Sequence, residues 1–194
     1  MDSSLIASII AATLVAGTPL IIVAIGELIT ERSGVLNLGA EGMMSVGAVA
    51  AFAAAYSGAG PWGAAAVGML AGAMSALLFG YLCLTMQANQ VASGLALAIF
   101  GVGLAAFFGK PFESAPLTAV QPPHIPLLND IPFIGPAFFQ QHVLVYFSWI
   151  LVIWTAWFLD RSRAGLVLRA VGESPSAAHA VGYPVIAIRY AAVA

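Results

Sequence analysis

Residues 42–109 contain no Asp, Glu, Lys, Arg or His, and no other feature of the chain constrains its fold so tightly. An ordinary soluble domain carries about a quarter charged residues, because a surface facing water needs charge at close intervals. Here 7% of the 194 residues are charged and 61% are hydrophobic, with a mean hydropathy of +1.00. One helical crossing of a bilayer takes roughly 20 apolar residues, so this stretch alone has room for three. Residues 3–26 form a second charge-free stretch, and residues 131–159 a third, broken only by His142. The fold class expected is all-α, a polytopic helical membrane protein.

Polar, Gly and Pro punctuation places five full spans near residues 5–26, 38–56, 62–86, 91–109 and 143–159. A further apolar run begins near Val185, and the residues to Ala194 are too few to cross a bilayer. The expectation is a single transmembrane domain over residues 1–194 that continues in a longer protein. The connections SGAGP (57–61) and QANQ (87–90) are short, which predicts that the helices each one joins are antiparallel neighbours. Residues 110–142 hold Pro111, Pro116, Pro122, Pro123, Pro126, Pro132 and Pro136, so they cannot form one continuous helix.

Basic residues orient the chain, since Lys and Arg concentrate on the cytoplasmic side. Arg161, Arg163 and Arg169 follow the fifth span, and Arg32 follows the first. Residues 160–184 and the loop around Arg32 are therefore expected inside, with the N-terminus and the Pro-rich 110–142 loop outside. The N-terminal MDSS lacks the basic region of a secretory signal, so the first apolar segment is expected to be retained. Cys83 is the sole cysteine, which excludes an internal disulfide and a cysteine-based metal site. A net charge of −2 provides no basic patch for nucleic acid.

Three segments carry chemistry. In residues 27–44, ELITERSGVLNLGAEGMM, an apolar helix ends in charge, passes Gly34 and turns apolar again with Asn37, Gly39, Glu41 and Gly42. A Gly-interrupted start of this kind lines polar paths in membrane proteins, and a carboxyl within hydrocarbon usually faces inward. The alternative is a solvated Glu41 at the interface with Asn37 as a helix cap. In QANQVASG (87–94), Gln87, Asn89, Gln90 and Ser93 offer hydrogen bonds either to a polar solute or to helix ends. In the third span Gly68 and Gly72 form a GxxxG, followed by Ser75 and Ala76, a pattern that lets another helix approach closely.

In residues 160–184, DRSRAGLVLRAVGESPSAAHAVGYP, Ser174 before Pro175 marks a helix start and Gly182 before Pro184 a stop. The short helix so defined is either a docking element for a soluble partner or a solvated connector. The chain has no GxxxxGK[ST], its one lysine being Lys110 followed by Pro111, and neither HExxH nor GxSxG occurs. His124, His142 and His179 are scattered singly. The residues support neither enzymatic activity nor a bound cofactor or metal.

RSGVLNLGAEGMM (32–44) and GLVLRAVGESPSAAHAVGYPV (165–185) resemble permease subunits of bacterial ABC importers, in the family of branched-chain amino acid and ribose permeases. NQVASGLAL (89–97) is most similar to the branch that takes up nucleosides or simple sugars with a lipoprotein receptor. The resemblance implies a plasma-membrane subunit forming the translocation path of a polar neutral solute, with Asn37, Glu41, Asn89, Gln90 and Ser93 near that path. It implies a coupling helix at residues 173–183, with Glu173, Ser174, Pro175, Ser176, Ala177, Ala178, His179 and Gly182 facing an ATP-binding subunit. His179 stands where many relatives are expected to have an acidic or other polar residue, a departure that would tune partner choice. Further implied partners are a second permease subunit, identical or not, and an external solute-binding protein, with ATP used by the partner chain. The runner-up reading is a secondary transporter or channel driven by an ion gradient through Glu41 and Glu27, and a membrane scaffold without a polar path ranks below it.

Overall fold

In hydrocarbon a peptide N–H or C=O finds no water, so a long apolar segment satisfies its backbone internally and becomes a helix. The computed structural model describes residues 3–114, 116 and 135–194, and every regular element among them is helical. Residues 117–134, most of the expected external loop, lie outside the described residues. Four helical stretches are long and apolar enough to cross a membrane: Leu5–Arg32, Gly60–Thr85, Gln90–Phe112 and Val143–Arg161. The fifth expected span is the apolar 17-residue helix Ala40–Tyr56, at the short end of what a bilayer accepts.

Helix α1 (Ser3–Arg32) runs for 30 residues, about 45 Å at 1.5 Å each, well past the expected end near residue 26. The charged residues Glu27, Glu31 and Arg32 lie on its last turns and do not end it. Pro19 falls inside α1, and the neighbouring Thr18 hydroxyl donates to the Leu14 carbonyl at 2.7 Å. Helix α2 (Ala40–Tyr56) starts two residues later than expected, because Leu38 and Gly39 form a turn ahead of it, with Gly39 N held by Asn37. Helix α3 (Gly60–Gly80) continues through a π-helical turn, Tyr81–Thr85, and helix α4 (Gln90–Gly109) through a 3-10 turn, Lys110–Phe112. Helix α5 (Val143–Arg161) precedes three shorter ones: α6 (Arg163–Glu173), α7 (Pro175–Ala180) and α8 (Val185–Val193).

The chain divides into two compact units. One comprises residues 1–25 and 119–158. Within it the described π-helical turn Gly135–Phe139 is tied to the start of α5, where Tyr146 Oη donates to the Phe138 carbonyl at 3.0 Å and Gln141 Nε2 to the Ala137 carbonyl at 2.8 Å. Tyr146 and Trp149 stack edge to face, with ring centroids 5.7 Å apart. Phe147, Ile150, Ile153 and Trp157 are exposed on α5, as a face toward lipid requires.

The second unit comprises residues 26–118 and 159–194. Its centre is α2, packed between α3 and α4, while α3 and α4 touch each other only slightly despite their short connection. The reason is the absence of side chains at the α2–α4 crossing. A Cβ added to Gly101 would lie 2.6 Å from the Gly42 carbonyl oxygen, and one on Gly42 would lie 2.5 Å from that of Leu97. On the other face of α2, a Cβ on Gly68 would meet Ala51 at 2.9 Å, whereas Gly72 faces open space, so only the first glycine of the GxxxG makes a close crossing. Val35, Met43, Ala76, Phe79, Cys83, Leu97 and Val193 form the buried core of this unit.

Candidate functional site at the α1–α2 junction and the α6–α8 segment

Helix α1 ends in a Schellman motif. Gly34, at φ +83°, donates to the Glu31 carbonyl at 2.9 Å, and Val35 N donates to Thr30 O at 3.3 Å. The left-handed residue ends the helix and drops Val35 into the core, where it is fully buried. Beyond it Asn37 is buried, its Oδ1 accepting from Gly39 N at 2.9 Å and its Nδ2 donating to Met43 Sδ at 3.5 Å. Asn37 thus shapes the turn that starts α2.

The start of α4 is fastened to the same turn. Asn89 caps α4, accepting from Ala92 N at 3.0 Å, and Gln90 Oε1 accepts the Leu36 N–H at 2.8 Å. Gly94 lets the two chains meet, since a Cβ there would sit 2.8 Å from Leu38 N. Ser93 is half-buried beside the Cys83 thiol. It lines an open groove of about 420 Å³ with Leu82, Ala92, Ala96, Leu97 and Phe100. Glu41 is exposed in the first turn of α2, where its negative charge complements the helix N-terminus. The structure therefore brings Asn37, Asn89, Gln90 and Ser93 together. Three of them commit their side-chain oxygens to backbone N–H groups, while Glu41 stays exposed and Ser93 lines the groove.

Residues 160–184 form a layered element. Ser162 caps α6 by accepting from Gly165 N at 2.9 Å, and Gly165, Leu168 and Val171, three residues apart, bury one face of that helix. Asp160 and Arg169 form an ion pair at 3.7 Å with the carboxylate largely exposed, so it contributes little stability. Helix α7 has Pro175 in its first turn, and Ser174 stands at the N-cap without a side-chain cap bond. It ends in a second Schellman motif: Gly182, at φ +97°, donates to His179 O at 2.9 Å and Tyr183 N to Ala178 O at 3.1 Å. Of the coupling set, Glu173, Ser176, Ala177, His179 and Gly182 are exposed, Ser174 and Pro175 are half-buried, and Ala178 is buried against its own chain. Val181 and Tyr183, outside that set, add an exposed apolar rim to α7.

The two segments meet. A Cβ on Gly172 of α6 would clash with the Arg32 carbonyl, and the Gly172 Cα lies 3.2 Å from where a Gly34 Cβ would be. From α8, Arg189 Nε donates to Ser33 O at 3.1 Å, and Thr30 Oγ1 donates to Ala192 O at 3.1 Å. Helix α8 also reaches α3, where the Tyr190 and Thr85 hydroxyls are 2.6 Å apart. The loop after α1 and the 160–184 segment thus share one end of this unit, as the distribution of basic residues requires.

Sequence reasoning missed α6 as a helix, although Ser162 followed by apolar residues at 165, 168 and 171 is a cap-and-stripe signal. It also missed the contacts of Gly172, Arg189 and Tyr190, for which a single sequence carries no signal: the partners are 140, 156 and 105 positions away.

Several apolar helices long enough to span a bilayer, with helix starts built on Gly and Asn, define a multi-pass helical membrane protein. The chain belongs to the branched-chain amino acid transport system / permease component family, whose model matches residues 9–194. Among curated proteins it is 38% identical to the "Putative glucose ABC transporter permease protein TsgC13" of Haloferax volcanii, over 98% of this chain and 59% of that protein. It is 37% identical to the guanosine ABC transporter permease NupQ of Bacillus subtilis, over 100% of this chain and 65% of that one. With the nucleoside ABC transporter permease NupC of Lactococcus lactis subsp. cremoris it shares 35% identity, over 95% and 62%. The chain spans about six tenths of the length of these relatives. No solved structure matches it.

Proposed function

We propose that the chain is part of the permease subunit of an ATP-driven importer for a neutral, hydroxyl-rich solute, a nucleoside or a simple sugar. The observation that carries this reading is the family match across residues 9–194, joined to relatives named as glucose, nucleoside and guanosine permeases. The absence of charge over residues 42–109 supports a neutral cargo, since a fixed ionic solute needs a counter-charge in a low-dielectric path. The solute passes along α2 and α4 beside Glu41 and Ser93, while Asn37, Asn89 and Gln90 hold the two helix starts in register.

Helix α7 docks on an ATP-binding subunit. The exposed residues Ser176, Ala177 and His179 on it, with Glu173 before it and Gly182 after it, form the contact, rimmed by Val181 and Tyr183, with Ser174 and Pro175 setting the helix start. Ala178 supports the helix from within. The chain itself binds no cofactor and catalyses no reaction; ATP is consumed by the partner. The complete assembly has two permease subunits, identical or not, two ATP-binding subunits and an external solute-binding protein. It lies in the plasma membrane, with residues 160–184 inside and the N-terminus and residues 110–142 outside.

The test is uptake of radiolabelled guanosine, adenosine, glucose and ribose into cells expressing the full-length permease with its ATP-binding subunit and receptor. Ala177→Arg with Val181→Glu, both at exposed positions, should abolish uptake at unchanged membrane expression. Uptake that survives a hydrolysis-deficient ATP-binding subunit but collapses with an ionophore would replace this reading by ion-gradient transport through Glu41 and Glu27.

A further inference from the structure

We propose that Arg189 is a positioning residue that locks the cytoplasmic ends of α1 and α3 to the α6–α8 segment, so that force delivered at α7 moves them as one body. The inference rests on the functional reading above and adds to it which spans the docking helix drives.

Four contacts carry it. Arg189 sits on α8 and donates from Nε to the carbonyl of Ser33, the residue that closes α1. This carbonyl belongs to the negative end of a 30-residue helix, where a guanidinium is held by charge as well as by a hydrogen bond. One turn along α8, the Ala192 carbonyl accepts from Thr30, whose hydroxyl also donates to Gly26 O at 2.9 Å. From the α6 side, the bare Cα of Gly172 rests on Arg32 and Gly34 with no room for a methyl group. The residue after Arg189, Tyr190, turns to α3, bonding Thr85 and packing its ring on Gly80, where an added Cβ would meet it at 3.1 Å. Helix α8 therefore holds two spans at once through consecutive side chains, and α7 reaches both through its contacts with α6 and α8. The start of α4 is fastened separately, to Leu36 and Leu38 beyond the Gly34 turn. A push on α7 thus reaches α1 and α3 through hydrogen bonds from α8, and α2 and α4 through that turn and through their packing on α3 and Val193.

The experiment uses the full-length transporter with its ATP-binding subunits and receptor in proteoliposomes. Its permease carries Cys83→Ala, Thr30→Cys and Ala192→Cys, and the two new thiols are bridged by a short bis-methanethiosulfonate. If α1 and α8 move together, solute uptake after bridging equals uptake after reduction. Uptake blocked by the bridge and restored by dithiothreitol would overturn the proposal, because the pair would then have to separate in each cycle. In parallel, Arg189→Met should lower uptake by about tenfold, the factor expected for losing one charge-assisted hydrogen bond, while ATP hydrolysis by the assembled complex continues. Arg189→Lys should recover part of the uptake. Unchanged uptake in Arg189→Met would count against the lock, and if that variant fails to assemble, the bridged pair decides alone. Absence of ATP-driven uptake in the assembly with the unsubstituted permease strikes the functional reading, whereas loss on bridging in a substituted permease that is active when reduced strikes this inference only.

Discussion

Gly42, Gly101 and Gly172 have the same composition-level signature as Gly72, yet they meet different surroundings. At the first three an added methyl would run into backbone, whereas at Gly72 it would enter open space. Gly101→Ala should therefore destabilise the protein by about 1–3 kcal/mol, the usual cost of overpacking, seen as a lower midpoint of thermal unfolding in detergent. Gly72→Ala should leave that midpoint unchanged or raise it, since Ala is the better helix former. Asn89 offers a second residue-level test. Its side chain caps α4 through Ala92 N, so Asn89→Ala should cost about 1 kcal/mol while Asn89→Asp keeps the cap. An equal midpoint for Asn89→Ala and wild type would show that the cap bond contributes nothing to stability. Both roles of this Asn were open in the sequence, because capping and solute binding ask for the same functional group at a helix start.

Helix α7 is six residues long, far too short to be stable alone in water. It exists because Pro175 fixes its first turn, Ala178 is buried beneath it and Gly182 closes it in the left-handed region. Gly182→Val should strain that closure by about 1–2 kcal/mol. The expected result is faster amide hydrogen exchange confined to residues 175–183, with the spans unaffected; unchanged exchange there would show that the turn is not what holds the helix. These stop and start signals were legible because Pro and Gly restrict φ locally. Helix α6 was legible in principle from its Ser162 cap and its stripe at 165, 168 and 171, but three basic residues and two glycines between 161 and 172 make the segment read as a polar connector. The continuation of α1 to Arg32 was missed for a related reason: charge near the end of a span marks where hydrocarbon stops, and a helix can continue beyond that point into water.

At the scale of the molecule, the exposed rim of α7 is the surface whose alteration separates folding from assembly. Val181 is 76% exposed, so Val181→Glu should leave thermal unfolding unchanged while reducing recovery of the ATP-binding subunit with the purified full-length permease. Intact co-purification would remove this rim from the docking surface. The sequence by itself determined that the chain is helical and crosses a membrane several times, because a long run without charge has no other way to satisfy its backbone in lipid. It also determined which loops share a side, through the placement of Arg32, Arg161, Arg163 and Arg169, and marked the capped helix at 175–180. Only the tertiary structure decided that α4 packs on α2 and not principally on α3, that Asn37 and Gln90 bind backbone, that Ala178 faces inward, and that Arg189 and Gly172 close on the end of α1. Those outcomes depend on which surfaces meet across more than a hundred residues or across a glycine-lined crossing, and close approach of two backbones is a property of the pair of helices that neither segment carries alone.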